Sequence, residues 1–301
     1  MTIEPRLPAD PAAARAALYA GRLFKTAPTA ASLQLADAAT ALVARELGGA
    51  DVRARATALP ADELFARIGR VRHALFTGAE WHAAARAAMA ASGFDPGTHA
   101  FDPLRLRAVL HRGHEIAAAQ AVYLAHRDTW YAHPPATITC WIPLDDLPTD
   151  ETFVFYPEAF DAAVPNDSEL FDYAAWVSDG PARRIGWQRR EDGTQARYPG
   201  LLGEDVPHQP LGFDCRRGEV LFFSGAHLHR TLPQASGRAR FSLDFRIAHL
   251  GDVAAELGAP DVDNRSTGSA VPDYVQPGGA SARASAAARP AFSAKPPGST
   301  S

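Results

Sequence analysis

The residues of this chain whose types and spacing could do chemistry are two histidines, an aspartate and an arginine. His126 and Asp128 flank Arg127. His229 follows 103 residues after His126, and Arg240 lies eleven residues beyond His229. Two histidines and one carboxylate can hold Fe(II) on one face and leave the opposite coordination positions open. The pattern therefore predicts an iron centre suited to oxidation chemistry.

The geometry of a β-strand explains how the first pair could share one ion. We predict a strand over QAVYLAHRD (120–128), in which side chains two positions apart point to the same face. His126 and Asp128 would then face the metal, while Arg127 points away from it. Gln120 shares this face and is a candidate contact for a co-substrate. A lone His-x-Asp is weak evidence in a chain with eleven histidines, so the interpretation depends on the distal residues.

A second predicted strand, RFSLDFRI (240–247), carries the distal arginine. Arg240, Ser242 and Asp244 share one face of this strand, and apolar side chains occupy the other. An arginine that points into a barrel is costly unless it is paired, and its planar fork of donors matches a carboxylate. Arg240, with Ser242 beside it, is therefore predicted to bind a dicarboxylic co-substrate.

The predicted secondary structure that must hold these residues changes from helices to strands near residue 100. The earlier part is rich in alanine and has apolar residues at helical spacing, and short β-rich segments follow it. Helices are predicted at 10–24, 29–47, 60–76 and 80–92, and strands at 104–110, 120–128, 136–144, 152–156, 218–225 and 240–247. Thr139 and Trp141 share a face of the strand at 136–144 and are further candidate co-substrate contacts. Helices first and strands later predict an α+β protein.

In these residues the chain resembles the Fe(II)- and 2-oxoglutarate-dependent dioxygenases of the phytanoyl-CoA dioxygenase type. That family has a His-x-Asp pair, a distal His and an Arg eleven residues after it, which here correspond to His126, Asp128, His229 and Arg240. The segment GEVLFFSGAHLHRTLPQASGRARFSL also resembles the distal stretch of the family. The resemblance spans residues 104–250 and implies a double-stranded β-helix, or jelly roll, with the helical region packed on it.

His227 competes with His229 for the position of the distal ligand, because Arg238 lies eleven residues beyond His227. The flanking Thr, Pro and Ser residues favour His229, since they fall at the family's offsets only in that register. The sequence differs from the family pattern at two places, and both differences concern the substrate rather than the metal site. TFVFYPEAF stands where the family commonly has a Gly and then a Pro-Gly-Ser-His sequence, and Gln234 stands where it usually has Asn.

The resemblance implies that His126, Asp128 and His229 bind Fe(II), that 2-oxoglutarate and O2 are co-substrates, and that Arg240 and Ser242 hold the far carboxylate of 2-oxoglutarate. The implied reaction is hydroxylation, or another oxidation, of an unactivated C–H bond in a small-molecule metabolite, with release of succinate and CO2. Desaturation, cyclisation and epimerisation remain open. Halogenation is disfavoured, because Asp128 fills the position that related halogenases leave to chloride. The composition is typical of high-GC bacterial genomes, in which such enzymes often serve natural-product biosynthesis.

Two other classes of protein remain as alternatives. A cupin-like metal enzyme or isomerase would bind a metal without using 2-oxoglutarate, and Arg240 would then have no role. A non-catalytic barrel that acts as a binding module would bind no iron. Addition of Fe(II) and then 2-oxoglutarate would separate these alternatives from the oxygenase.

Composition limits the remaining classes of partner and location. The net charge of -4 and the isoelectric point near 6.3 argue against a nucleic-acid-binding protein. The first residues lack the apolar core of a secretory signal, and no apolar run is long enough to span a bilayer. We therefore expect a cytoplasmic protein with no membrane partner.

One dioxygenase domain is expected over residues 1–264, with a helical part at 1–100 and a jelly-roll core at 101–250. Residues 265–301 are rich in Ala, Ser, Pro and Gly and are expected to be a disordered tail. The segment 160–217 is expected to contain a short helix around SELFDYAAWV and loops that cover the site.

Overall fold

Residues 2–178, 198–203, 206 and 209–279 are described by the computed structural model of the chain. Among them, seven strands form one sheet, with β3 and β4 both paired to β9 and the others in the order β1-β2-β7-β5-β9. These strands are β1 (Ile3–Glu4), β2 (Leu23–Thr26), β3 (His99–Phe101), β4 (Arg105–Val109), β5 (Thr137–Pro143), β7 (Val220–Ser224) and β9 (Arg240–His249). A second, two-stranded sheet consists of β6 (Phe153–Phe155) and β8 (His229–Thr231). Apart from the parallel pair of β1 and β2, all of these pairs are antiparallel.

Helices cover the outer face of the seven-stranded sheet. Before β3 they are α1 (Pro11–Tyr19), α2 (Ala30–Leu47), α3 (Val52–Ala58), α4 (Ala61–Thr77) and α5 (Ala79–Ala91). The longest, α2, begins with a capping box in which Thr29 and Ser32 exchange hydrogen bonds, and it ends at Gly48, whose positive φ of 76° suits glycine. Buried side chains of these helices join the apolar residues of β5 and β9 in the main hydrophobic core. From α2 onward the predicted order of helices followed by strands is confirmed. Two strands depart from it, because β1 precedes α1, and because α1 ends at Tyr19 and Leu23–Thr26 forms β2.

The two sheets pack face to face through aromatic side chains. Trp141 of β5 contacts Phe153 of β6 edge to face, with 5.3 Å between the ring centroids. Phe155 of β6 contacts Phe223 of β7 in the same way at 5.0 Å. The inner face of the large sheet is thus partly covered by the small sheet. The finer assignment of this arrangement to a jelly roll stays a prediction.

The prediction of a strand at 120–128 is wrong. Residues Ala117–Tyr123 form a 3-10 helix, and a second one follows at Asp128–Tyr131. Only His126 pairs as a strand residue would, in an isolated antiparallel bridge with His229. The run AAAQAVY consists mostly of alanine and other residues that tolerate helical conformations, and the period-two pattern obscured that local preference.

The prediction of a disordered tail from residue 265 does not hold for the part that the structure describes. Tyr274 and Val275 are fully buried, and Val275 exchanges backbone hydrogen bonds with Phe101 of β3. Residues 280–301 lie outside the described residues. In the segment 160–217, α6 (Tyr173–Ser178) accounts for part of the predicted helix. Elsewhere, a further short helix, α7 (Leu250–Ala254), follows β9. The predicted loop REDGTQARYPG lies mostly outside the described residues. None of the described helices has the length and apolar character that a membrane span requires.

Candidate metal centre

The structure brings His126, Asp128 and His229 together. One ligand atom from each lies within 4.8 Å of the others, so the three could hold one metal ion. Their proximity follows from the backbone, because the N–H of His126 donates to the carbonyl of His229 and the reverse bond is also made, both at 3.0 Å. The two imidazole rings consequently lie side by side, with 4.4 Å between their centroids.

Hydrogen bonds fix which nitrogen of each imidazole is available to a metal. Nδ1 of His126 lies 2.8 Å from the carbonyl oxygen of Leu124, and Nδ1 of His229 lies 3.0 Å from that of His227. A carbonyl oxygen can only accept, so Nδ1 carries the proton in both rings, and in a neutral ring Nε2 keeps its lone pair. Burial, together with the neighbouring His229, lowers the pKa of His126 to about 3, and burial also lowers the pKa of His229. Both rings are therefore neutral at pH 7, as metal ligation requires.

Asp128 supplies the anionic member of the cluster. Burial alone would raise the pKa of this carboxyl, but the charged guanidinium of Arg246, which also donates a hydrogen bond to it, holds the pKa of Asp128 well below its usual range. The side chain of Asp128 is 1% exposed, and one of its oxygens lies 3.9 Å from Nε2 of His126. Two imidazole lone pairs and one carboxylate form a donor set that fits a divalent transition metal.

Arg127 points away from the cluster, as the sequence predicted. Its side chain is 2% exposed, and its guanidinium forms a buried ion pair with Asp263 at 3.0 Å. It also donates to the carbonyl oxygens of Ala159 and Ala226. Asp263 in turn accepts a hydrogen bond from Nε1 of Trp130. These contacts anchor the turn that carries His126 and Asp128 to distant parts of the chain around residues 159, 226 and 263.

His227 lies outside the cluster. Its Nε2 lies 3.0 Å from the carbonyl oxygen of Gly21, and its ring packs on Phe160 with 4.5 Å between centroids. Its burial is complete. The geometry therefore assigns His227 to the packing between the turn before β2 and the loop after β6, and it leaves His229 as the distal residue of the cluster.

The predicted co-substrate contacts fall into two groups. Arg240 is 2% exposed, and its guanidinium lies over the ring of Trp141 at 5.8 Å. Nε1 of Trp141 donates to Oγ of Ser242 at 2.9 Å, so Arg240, Trp141 and Ser242 form one buried group. Thr139, by contrast, donates to Asp128. Gln120 is exposed on the 3-10 helix rather than on a strand face, so its predicted position is wrong.

Arg240 lacks a carboxylate partner among the described residues. Nη1 makes a long contact of 3.4 Å to the carbonyl oxygen of Glu151, and Nε has no hydrogen-bond partner there. The nearby carboxylate of Glu151 is itself paired with Arg53. Burial lowers the pKa of Arg240 to about 10, which still leaves the guanidinium charged at pH 7. A buried cation with an unsatisfied donor is costly, so its surroundings suit an anionic ligand.

Sequence reasoning missed a set of charged residues on the same inner face. Arg246 contacts Asp128, Asp102 and Asp244, and Arg107 of β4 makes a two-bond pair with Asp244 at 2.9 and 3.0 Å. The alternation that placed Arg240, Ser242 and Asp244 on one face extends to Arg246, and this was the signal that could have identified it.

Comparison with known proteins gives only distant likenesses. No protein-family model matches the chain, and no curated protein matches it. Among solved structures it resembles EvdO2 from Micromonospora carbonacea var. aurantiaca, with 15% identity, a TM-score of 0.35, and coverage of 56% of this chain and 60% of EvdO2. It also resembles the non-heme monooxygenase ThoJ, with 14% identity, a TM-score of 0.40, and coverage of 74% and 71%. A third is the non-heme alpha ketoglutarate dependent epimerase SnoN from nogalamycin biosynthesis, with 17% identity, a TM-score of 0.34, and coverage of 66% and 74%. No membership of a family follows from likenesses this low.

Proposed function

We propose that this protein is an Fe(II)- and 2-oxoglutarate-dependent oxygenase that oxidises an unactivated C–H bond of a small-molecule metabolite. The observation that carries the proposal is the cluster of His126, Asp128 and His229, in which both imidazoles keep Nε2 free because Nδ1 is bonded to a backbone carbonyl. Two histidines and one carboxylate with open positions are the ligand set of non-haem Fe(II) oxygenases.

The guanidinium of Arg240, which has no carboxylate partner among the described residues, supports 2-oxoglutarate as co-substrate. It lies on the inner face of the large sheet, against Trp141, which packs on Phe153. Phe153 in turn packs on His229, with 5.7 Å between the ring centroids. A chain of packed side chains thus connects Arg240 to the cluster. A dicarboxylate bound to iron at one end would present its other carboxylate to Arg240, whose planar fork matches it.

The chain's own residues would orient the reactants and exclude water. Iron with 2-oxoglutarate and O2 supplies the oxidising power when bound, with release of succinate and CO2. His126 and His229 remain neutral and fixed by their Nδ1 bonds, and the ring of Phe153 packs against both His229 and Trp141. The side chain of His126 is 15% exposed, compared with 1% for Asp128. Substrate would therefore approach from the side of His126, where the ring of Tyr131 lies against it at 5.4 Å.

Anaerobic addition of Fe(II) and then 2-oxoglutarate tests this proposal. We expect a metal-to-ligand charge-transfer band in visible light that appears only when both are present. Succinate, which lacks the 2-oxo acid group, serves as the matched control ligand, and Asp128→Ala as the control protein. Iron binding without the band would favour a metal enzyme that does not use 2-oxoglutarate. Absence of iron binding would favour a non-catalytic barrel.

A further inference from the structure

Arg246 is a buried arginine that touches the candidate metal centre. Its Nη2 donates to Oδ1 of Asp128 at 2.9 Å. Its Nη1 lies 3.2 Å from Oδ2 of Asp102 and 3.3 Å from Oδ2 of Asp244, and its side chain is 5% exposed. One guanidinium therefore contacts three carboxylates, and one of them belongs to the cluster of His126, Asp128 and His229.

The other oxygen of Asp128 is held from the neighbouring strand. Oγ1 of Thr139 donates to Oδ2 of Asp128 at 2.5 Å. Thr139 on β5 and Arg246 on β9 are directly opposite each other in the strand register. The sheet therefore places two donors beside the same carboxylate, and each oxygen of Asp128 receives one hydrogen bond.

We propose that Thr139 and Arg246 form a clamp that fixes the orientation of Asp128 towards the metal, with Arg246 as the main positioning residue. A carboxylate whose two oxygens are each bonded to a fixed donor cannot rotate freely about its Cβ–Cγ bond. Each oxygen keeps a further lone pair, and Oδ1 is the oxygen nearest to Nε2 of His126. The clamp thus directs that oxygen to the space between the imidazoles. This inference rests on the proposed function only in requiring that the cluster binds a divalent metal.

The clamp differs from an ion pair that merely balances buried charge. Arg105 offers the comparison, because it makes a two-bond pair with Asp102 at 3.0 Å for each bond. Asp102 also contacts Arg246, so both arginines belong to one charged network. Among the contacts described, Arg246 is the arginine that reaches Asp128. Removal of either guanidinium takes one positive charge from the network, but only one removal releases the metal ligand.

Titration of the metal-free protein with Co(II), followed by its visible d–d absorption, tests the clamp. We expect Arg246→Met to weaken Co(II) binding by about 10- to 100-fold, the range found when partners of metal ligands are removed. The shape and intensity of the bands should also change, because Asp128 is free to reorient. Arg246→Lys should recover part of the affinity, since it keeps the charge but lacks the fork. Arg105→Met, the matched control, should keep the wild-type affinity and spectrum.

Thermal unfolding of the metal-free variants separates orientation from folding. If Arg246→Met does not fold, Thr139→Val still tests the clamp, because it removes the hydrogen bond to Oδ2 without a change of charge or much change of volume. It should shift the Co(II) bands with a smaller loss of affinity, and Thr139→Ser should restore them. Folded Arg246→Met or Thr139→Val with the wild-type affinity and spectrum would overturn the clamp, as would an equal effect of Arg105→Met. Wild-type protein that bound no Co(II) would overturn the proposed function as well.

Discussion

The two faces of β9 contribute different properties to the protein, although they alternate residue by residue. On the outer face, Phe241, Leu243, Phe245 and Ile247 pack against the helices in the main hydrophobic core. On the inner face stand Arg240, Ser242, Asp244 and Arg246, all of them buried. Burial of apolar area stabilises the fold, whereas burial of charge is costly unless each charge is paired. The contrast indicates that the outer face provides the stability needed to hold a charged inner face.

Among variants at or beside the inner face, Asp128→Ala should cause the largest loss of activity, because Asp128 contacts Arg246 on that face. This change removes the anionic member of the cluster, so we expect loss of metal-dependent turnover. It also removes one of the three carboxylates around Arg246. Succinate release coupled to oxidation of a substrate, or uncoupled decarboxylation of 2-oxoglutarate, measures the loss. Normal turnover by Asp128→Ala would contradict the assignment of the cluster as the iron site.

The next effect concerns the two neighbouring histidines. His229→Ala should weaken Fe(II) binding by more than about 100-fold, beyond the cost of losing an outer partner of a ligand. His227→Ala should retain the metal and lose only stability, because His227 packs on Phe160 and bonds to the carbonyl of Gly21. Anaerobic Fe(II) titration of both proteins makes the comparison. The reverse pattern would identify His227 as the ligand and Arg238 as the co-substrate arginine.

A smaller effect is expected from Arg240→Ala. Truncation of one partner of a buried charge pair costs about 2–5 kcal/mol, so the dissociation constant of 2-oxoglutarate should rise by at least about 30-fold. Arg240→Lys should recover part of this loss, and Fe(II) binding should survive in both variants. Titration of the charge-transfer band under anaerobic Fe(II) gives the constants. An unchanged constant for Arg240→Ala would favour the metal enzyme that does not use 2-oxoglutarate.

The outer face should give the opposite result. Leu243→Ala leaves a cavity beside the helices and should lower the free energy of unfolding by about 2–5 kcal/mol. The folded fraction should still bind Fe(II) and 2-oxoglutarate with the wild-type constants, because Leu243 faces away from the site. Ser242→Ala, its neighbour on the inner face, leaves the buried Nε1 of Trp141 without its acceptor, so it should lower the free energy of unfolding by about 1–3 kcal/mol and also weaken 2-oxoglutarate binding modestly. Urea denaturation and the same titrations measure both variants. Equal changes in stability and affinity for the two variants would remove the distinction between the faces.

Sequence reasoning predicted the parts of the site that depend on local alternation. Arg240, Ser242 and Asp244 share a face because side chains of a strand alternate, and no tertiary information is needed to see this. It failed for Gln120, because the segment before His126 is helical and the pairing with His229 begins only at His126. Asp102 could not be identified in this way, because it lies outside a strand and reaches Arg246 only through the tertiary fold.

Composition was a poor guide to the C-terminal segment for a similar reason. Residues after 265 contain few large apolar side chains, yet Tyr274 and Val275 dock on the edge of the large sheet beside β3. A few well-placed contacts order this segment, and an average over many Ala, Ser, Pro and Gly residues conceals them. The short helix α6 was predicted in part, and it begins with a local cap in which Oδ1 of Asp172 accepts a hydrogen bond from the N–H of Ala175.

The buried pair of Arg127 and Asp263 joins residues 136 positions apart. During synthesis on a ribosome, the turn that carries His126 and Asp128 emerges long before Asp263 does. Until then, Arg127 has no carboxylate partner at that position, and the turn is held less firmly. Assembly of the site should therefore be one of the last events in folding, so that a nascent chain would acquire its metal only after most of the polypeptide has been made.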